Sequence, residues 1–205
     1  MGPCALDHLA VSAGALAEGV AHVEDALGVR LSTGGQHPAM GTHNRLLRLG
    51  DVYLEVIAID PFATPPGRPR WFDLNNFTGP PRLTNWIARC ADLDAALALA
   101  PPGSGTPMAL ARGDLAWRMA VPDDGRLPLD GAFPALIEWQ GTAHPCDSLR
   151  DRGCKLAALD IAHPDPTALH AALEPLFGAL PVTLSRGPVS FRAEIATPHG
   201  TRYLE

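Results

Sequence analysis

The order strand, helix, strand, strand, strand is written into the first sixty residues and then begins again, and no other feature narrows the possible folds as much. A strand at about 5–12 precedes an Ala-rich helix from Ala13 to Leu27, whose apolar positions Leu16, Val20, Val23 and Leu27 share one face at helical spacing. Gly28 is placed to end it. Strands follow at about 29–34, 43–49 and 52–59, with Gly50-Asp51 as a tight turn between the last two. The pattern restarts at Leu83 with a strand to Cys90, and a short helix Leu93–Leu99 opens on Asp92 as N-cap. Strands at about 107–111, 115–121 and 133–140 complete the second copy, separated by the turns Arg112-Gly113-Asp114 and Asp123-Asp124-Gly125. A third, partial copy starts near Leu156, with a helix from Pro166 to Phe177 and strands near 181–186 and 189–197.

Between the first two copies, residues 61–82 carry Pro61, Pro65, Pro66, Pro69, Pro80 and Pro81, which rule out a central strand. With Arg68, Arg70, Trp71, Phe72 and Phe77 among them, they predict a connector packed over the domain. The 20 Gly and 21 Pro in 205 residues act as turn punctuation rather than as a sign of disorder. The expectation is one α+β domain, 1–205, with modules at 5–60 and 83–141 and a partial module at 155–205.

Composition removes several functions. A net charge of −6 argues against a polyanionic partner, so no nucleic acid is expected. No apolar run approaches the length of a membrane span. The first residues lack a basic region followed by an apolar core, so no secretory signal is expected. Cys4, Cys90, Cys146 and Cys154 form no CxxC pair and suit reduced thiols in the cytoplasm, although Cys146 and Cys154 are close enough in sequence to meet. Neither a Gly-rich phosphate loop, a GxSxG elbow nor an HExxH helix is present, which removes most of the case for a hydrolase or a nucleotide cofactor.

Two apolar strands each carry an ionisable residue at mid-run: His8 in Ala5–Val11 and Glu55 in Val52–Ile59. A charge there is costly unless it is paired or binds a metal. Glu138 lies in a similar run, 133–140.

The segments LDHLAV (6–11), GGQHP (34–38), GTHNRLLRLGDVYLEVIAIDP (41–61), RWF (70–72), WRMAVP (117–122) and ALIEW (135–139) together resemble the glyoxalase-like branch of the vicinal oxygen chelate superfamily. The resemblance spans nearly the whole chain. It implies tandem βαβββ modules whose mixed sheets curl around a cavity that commonly holds a divalent metal, with ligands from the first and last strands of each module. The matching positions are His8 and Glu55 in module one and Trp86 and Glu138 in module two. Trp86 is a departure, because an indole N–H cannot bind a metal; Ile161 in the third copy is no better.

His8, Glu55 and Glu138 would form a three-ligand site suited to Fe, Mn, Ni or Zn, with Glu138 also placed for catalysis. The bland reading is that both glutamates pair with Arg or backbone donors while His8 is a hydrogen-bonded core residue. In the strand after Gly41, His43 and Asn44 point to opposite faces, so one of them looks into the cavity. His43 would serve there as a catalytic acid or base or as the missing ligand; Asn44 would bind substrate or stabilise a turn. His37, before Pro38, either closes over a ligand or stabilises its loop. Arg118, inside an apolar strand, pairs either with a structural carboxylate such as Glu138 or with an anionic substrate. Trp86 is a pocket wall or core filling, and Trp117 and Trp139 belong to the same aromatic set. The leading expectation is a divalent-metal-assisted lyase, isomerase or dioxygenase acting on a small oxygenated molecule. The alternative is a metal-free protein that binds or sequesters a small molecule. Family members often pair modules between chains, so a homodimer is also expected to be possible.

Overall fold

A computed structural model describes residues 2–205. Its first module runs β1 (Cys4–Ser12), α1 (Leu16–Leu27), β2 (Ser32–His37), β3 (Thr42–Leu49) and β4 (Val52–Ile59). The second runs β5 (Arg82–Cys90), α2 (Leu93–Leu99), β6 (Thr106–Arg112), β7 (Leu115–Val121) and β8 (Ala135–Gln140). Gly28 ends α1 in the left-handed conformation, φ 71°, and Asp92 caps α2 by accepting from the Ala95 amide at 2.9 Å. The eight strands form one curled sheet in the order β2-β3-β4-β1-β5-β8-β7-β6. The modules therefore meet inside one chain, along an antiparallel β1–β5 seam. The architecture is α+β with a mixed sheet curled around a cavity.

Both faces of this sheet are covered, which is why its central strands read as unbroken apolar runs. Leu9, Val11, Leu54, Val56, Trp86, Ala88 and Leu136 face outward into a core shared with α1 and α2. Ala10, Ile57, Ile87, Trp117, Met119 and Ile137 face inward, where Trp71 and Phe72 pack over them from the connector. That connector is tied to both modules. Arg70 Nε donates to Gly41 O at 3.4 Å, Arg68 Nη2 to Pro122 O at 3.0 Å, and the Asp73 amide to Gly125 O at 2.9 Å. Gly125 has no alternative, because φ is +78° and an added Cβ would lie 2.1 Å from Arg70 O.

After a four-residue helix, α3 (Pro145–Ser148), the chain forms β9 (Lys155–His163), α4 (Pro166–Phe177), β10 (Thr183–Arg186), β11 (Ser190–Thr197) and β12 (Gly200–Leu204). The third unit is thus complete in its elements; the strand β12 was not expected from the sequence. Its wiring also differs, because the order β10-β9-β11-β12 places the unit's second strand parallel to its first. It is a separate four-stranded sheet that packs on the outer core and lies outside the curl. Among the described residues, no helix is long and apolar enough to cross a membrane.

Candidate active site in the curl of the sheet

His8 reaches the concave face together with a neighbour that strand alternation would have sent to the opposite side. In the β1–β5 ladder Leu6 pairs with Ala88 and His8 with Ile87, so Asp7 is an extra, bulged residue. The bulge lets Asp7 Oδ2 accept from His8 Nδ1 at 2.7 Å. Asp7 is fully buried. Its other oxygen, Oδ1, accepts from Trp139 Nε1 at 3.1 Å and His144 Nε2 at 3.0 Å, with Arg89 Nη1 at 3.6 Å. His144 can donate there because its Nδ1 accepts from the Cys146 amide at 3.2 Å, which fixes its tautomer. Burial pushes the Asp7 carboxyl up, but the hydrogen bonds from His144 and His8 outweigh it and hold the group well below the usual carboxylate range.

With Nδ1 donating to Asp7, His8 turns its Nε2 into the cavity. Glu55 Oε2 lies 3.7 Å away, and Tyr53 stacks on the imidazole at 4.3 Å between centroids. Burial, followed by the nearby Asp7 and Glu55 carboxylates, pushes the Tyr53 phenol up and keeps it protonated. Asn44 holds Glu55 by donating Nδ2–H to Oε1 at 2.6 Å. Arg112 from β6 donates to Asn44 Oδ1 at 3.5 Å and to His37 Nε2 at 3.0 Å, and His37 Nδ1 donates to Thr42 Oγ1 at 3.1 Å. His37 is therefore neutral, its ionisation pushed down to about 4 mainly by burial; the Glu55 charge acts the other way, and Arg112 reinforces the burial. Gly34 and Gly35 make room for this arrangement. A Cβ on Gly34 would lie 2.2 Å from Asn44 Oδ1, and one on Gly35 would lie 2.6 Å from the Arg112 side chain.

These groups enclose a cavity of about 40 Å³, walled by Trp117, Met119, Ile137 and Trp139 and roofed by Trp71 and Phe72. That is room for one or two waters or one ion.

Of the residues expected in the cavity, His8, Glu55, Asn44 and His37 are there. Four are not. Glu138 faces outward because Ile137 and Trp139 take the concave positions of β8. Its Oε2 accepts from the Leu93 amide at 2.9 Å, adding a cap to α2, and from Arg118 at 3.2 Å. Arg118 shares that outer face, where it bridges Glu138 to Asp94. Trp86 is core: it pairs with Leu9, its indole donates to Ala132 O at 2.9 Å, and it stacks on Phe177. His43 is absent from the cavity lining, and the face that looks inward on β3 is that of Thr42, Asn44 and Leu46. For Glu138 and Arg118 the bland reading of a carboxylate matched to a guanidinium and a backbone donor is the one realised. A Glu138→Ala variant is accordingly expected to lose about 1 kcal/mol of stability, the worth of a helix cap, with the cavity unaltered. Thermal unfolding checks this, and a loss above about 3 kcal/mol would contradict it.

The donor set does not suit a catalytic metal. His8 Nε2 and Glu55 Oε2 are spaced as two ligands of one ion with bonds near 2.1 Å would be, but catalytic sites use three protein ligands. Among the described residues, no third His, Cys, Asp or Glu joins them. The cationic guanidinium of Arg112 lies beside Asn44, the residue that holds Glu55, and would repel a second cation. The His8–Glu55–Glu138 triad is therefore not formed.

Two βαβββ modules thus curl around a cavity set with a His and a Glu from the first and last strands of one module. The family model for the glyoxalase-like domain matches residues 6–177, and the chain belongs to that family. Among solved structures, a hypothetical protein from Staphylococcus aureus shares 12% identity over 98% of this chain and 84% of its own, with a TM-score of 0.62. A variant of 4-hydroxymandelate synthase from Streptomyces coelicolor shares 13% identity over 99% of this chain and 62% of its own, with a TM-score of 0.52. Methylmalonyl-CoA epimerase from Mycobacterium tuberculosis shares 17% identity over 67% of this chain and 88% of its own, at a TM-score of 0.42. No curated protein matches the chain.

Proposed function

We propose that the protein is a metal-independent acid–base enzyme that moves a proton at a carbon next to a carbonyl in a small oxygenated molecule, as isomerases, epimerases and lyases do. The observation that carries this reading is the Asp7–His8–Glu55 row. A buried carboxylate fixes the imidazole tautomer, and the lone pair so exposed faces a second proton-transfer group 3.7 Å away. His8 Nε2 takes the α-proton, the C–H electron pair moves onto the carbonyl oxygen as an enolate, and the pair swings back as His8 Nε2 returns the proton to the same carbon. Arg112 is the cavity's cation for the developing oxyanion.

The test is proton NMR in D₂O, with protein in EDTA and a panel of small 2-oxo and 2-hydroxy carbonyl compounds. The expected result is exchange of an α-proton that persists in chelator and falls roughly 10²–10⁴-fold in His8→Gln. Exchange that appears only with added Fe, Mn, Ni or Zn would replace this reading with metal-assisted catalysis. Thermal stabilisation by a compound in EDTA without any exchange would replace it with small-molecule sequestration.

A further inference from the structure

Phe72 has a second face. Behind it lies a larger cleft, about 610 Å³, bounded by the connector, β5, the segment between β7 and β8, and β11 of the C-terminal sheet. This is the size of an ordinary small-molecule site. Its apolar walls are Phe77, Leu83, Leu127, Val189 and Phe191. Deepest among its polar groups is Asn85, only 5% exposed, whose Oδ1 has no hydrogen-bond partner among the described residues. A buried carbonyl oxygen left unpaired is costly, and its natural complement is a donor from a bound molecule.

The two guanidinium groups around the cleft are already engaged. Arg126 Nε pairs with Asp73 Oδ2 at 3.4 Å. Arg82 donates to Thr78 O at 2.8 Å and Pro80 O at 3.3 Å while lying over the Phe77 ring at 4.4 Å. Neither guanidinium is free to demand an anion. The walls are also held in an unusual backbone state. Phe72, Asp73, Leu129 and Asp130, with φ from 52° to 58°, are the non-glycine left-handed residues among the described residues, and three of them line this cleft.

We propose that this cleft binds a neutral, largely apolar small molecule that presents a hydroxyl or N–H to Asn85 Oδ1, separately from the chemistry at His8. The whole chain is titrated with N-phenyl-1-naphthylamine, a neutral apolar fluorophore with one N–H, and in parallel with its N-methyl analogue. The wild type is expected to bind the N–H probe saturably at one site, roughly five-fold more tightly than the N-methyl probe, the worth of one hydrogen bond. Asn85→Leu should erase that preference. Val189→Trp, at a half-buried position on the cleft wall, should abolish binding of both probes even if Asn85→Leu fails to fold. Glu55→Gln should change neither affinity, which keeps this result apart from the acid–base reading. Absence of saturable binding, equal affinity of the wild type for the two probes, or binding that Val189→Trp leaves intact would overturn the proposal.

Discussion

Asp7→Ala is expected to destabilise the protein by about 3–5 kcal/mol, because three buried donors lose their acceptor at about 1–3 kcal/mol each. For a chain of this length that is a fall in Tm on the order of 10 °C. The size follows from what is left behind. His8 Nδ1, His144 Nε2 and Trp139 Nε1 all donate to this one carboxylate, and the protein interior offers them no substitute acceptor. Denaturant unfolding of the purified variant measures the loss, and a change below about 1.5 kcal/mol would mean that the carboxylate is not the hub its contacts indicate. The same group sets a limit at low pH. Its folded ionisation lies below the ordinary value of about 3.9, so its contribution is complete above that pH and is lost as acidification proceeds further.

A second acid transition is expected at milder pH, from His37. The unfolded chain takes up the His37 proton near pH 6.5, whereas the folded protein holds off until about 4. Across that window the unfolded state binds more protons, so stability falls as pH drops, and it stops falling on this account once both states are protonated. At 1.36 kcal/mol per pH unit the gap is worth about 3 kcal/mol. The groups responsible are the surrounding apolar walls, with Glu55 opposing and Arg112, His8 and His43 reinforcing. Stability measured from pH 7 to 4 should therefore slope less steeply in His37→Gln than in the wild type. Parallel slopes would show that His37 ionises normally in the folded protein.

How much of this was legible in the sequence depends on whether a residue obeys its element's period. The repeated element order, the Asp92 cap and the Gly28 stop are local signals, and the structure shows each of them. Glu55 and Asn44 reach the cavity because β4 and β3 keep the alternation that the apolar pattern announces, while His8 and His37 reach it beyond register shifts in β1 and β2. The failures are parity errors. Glu138 and Trp86 sit in runs apolar on both faces, where hydrophobicity cannot say which residues look inward, and each lies one residue off the concave row. Asp7 fails for the opposite reason: a bulge carries it to the side that alternation denies it, and only its position beside His8 hinted at a role. Arg112 read as part of a turn, yet Gly34-Gly35, two residues without side chains on the facing strand, marked the space it fills. His144 comes from a segment with no period to follow and nothing local identified it, whereas Trp71 was foreseen only as part of a connector packed over the domain.

The connector between the modules also has a bearing on how copies of this chain deal with one another. Modules that pair through matching first strands are suited in principle to trading partners, one copy's β1 zipping against another's β5 with every contact preserved. Here the strap that joins the two halves is also the ceiling of the cavity, pinned at Gly41 on one side and at Pro122 and Gly125 on the other. A swap would have to draw Trp71 and Phe72 out of both copies. The connector thus makes monogamy of the two modules a condition of having a closed site at all.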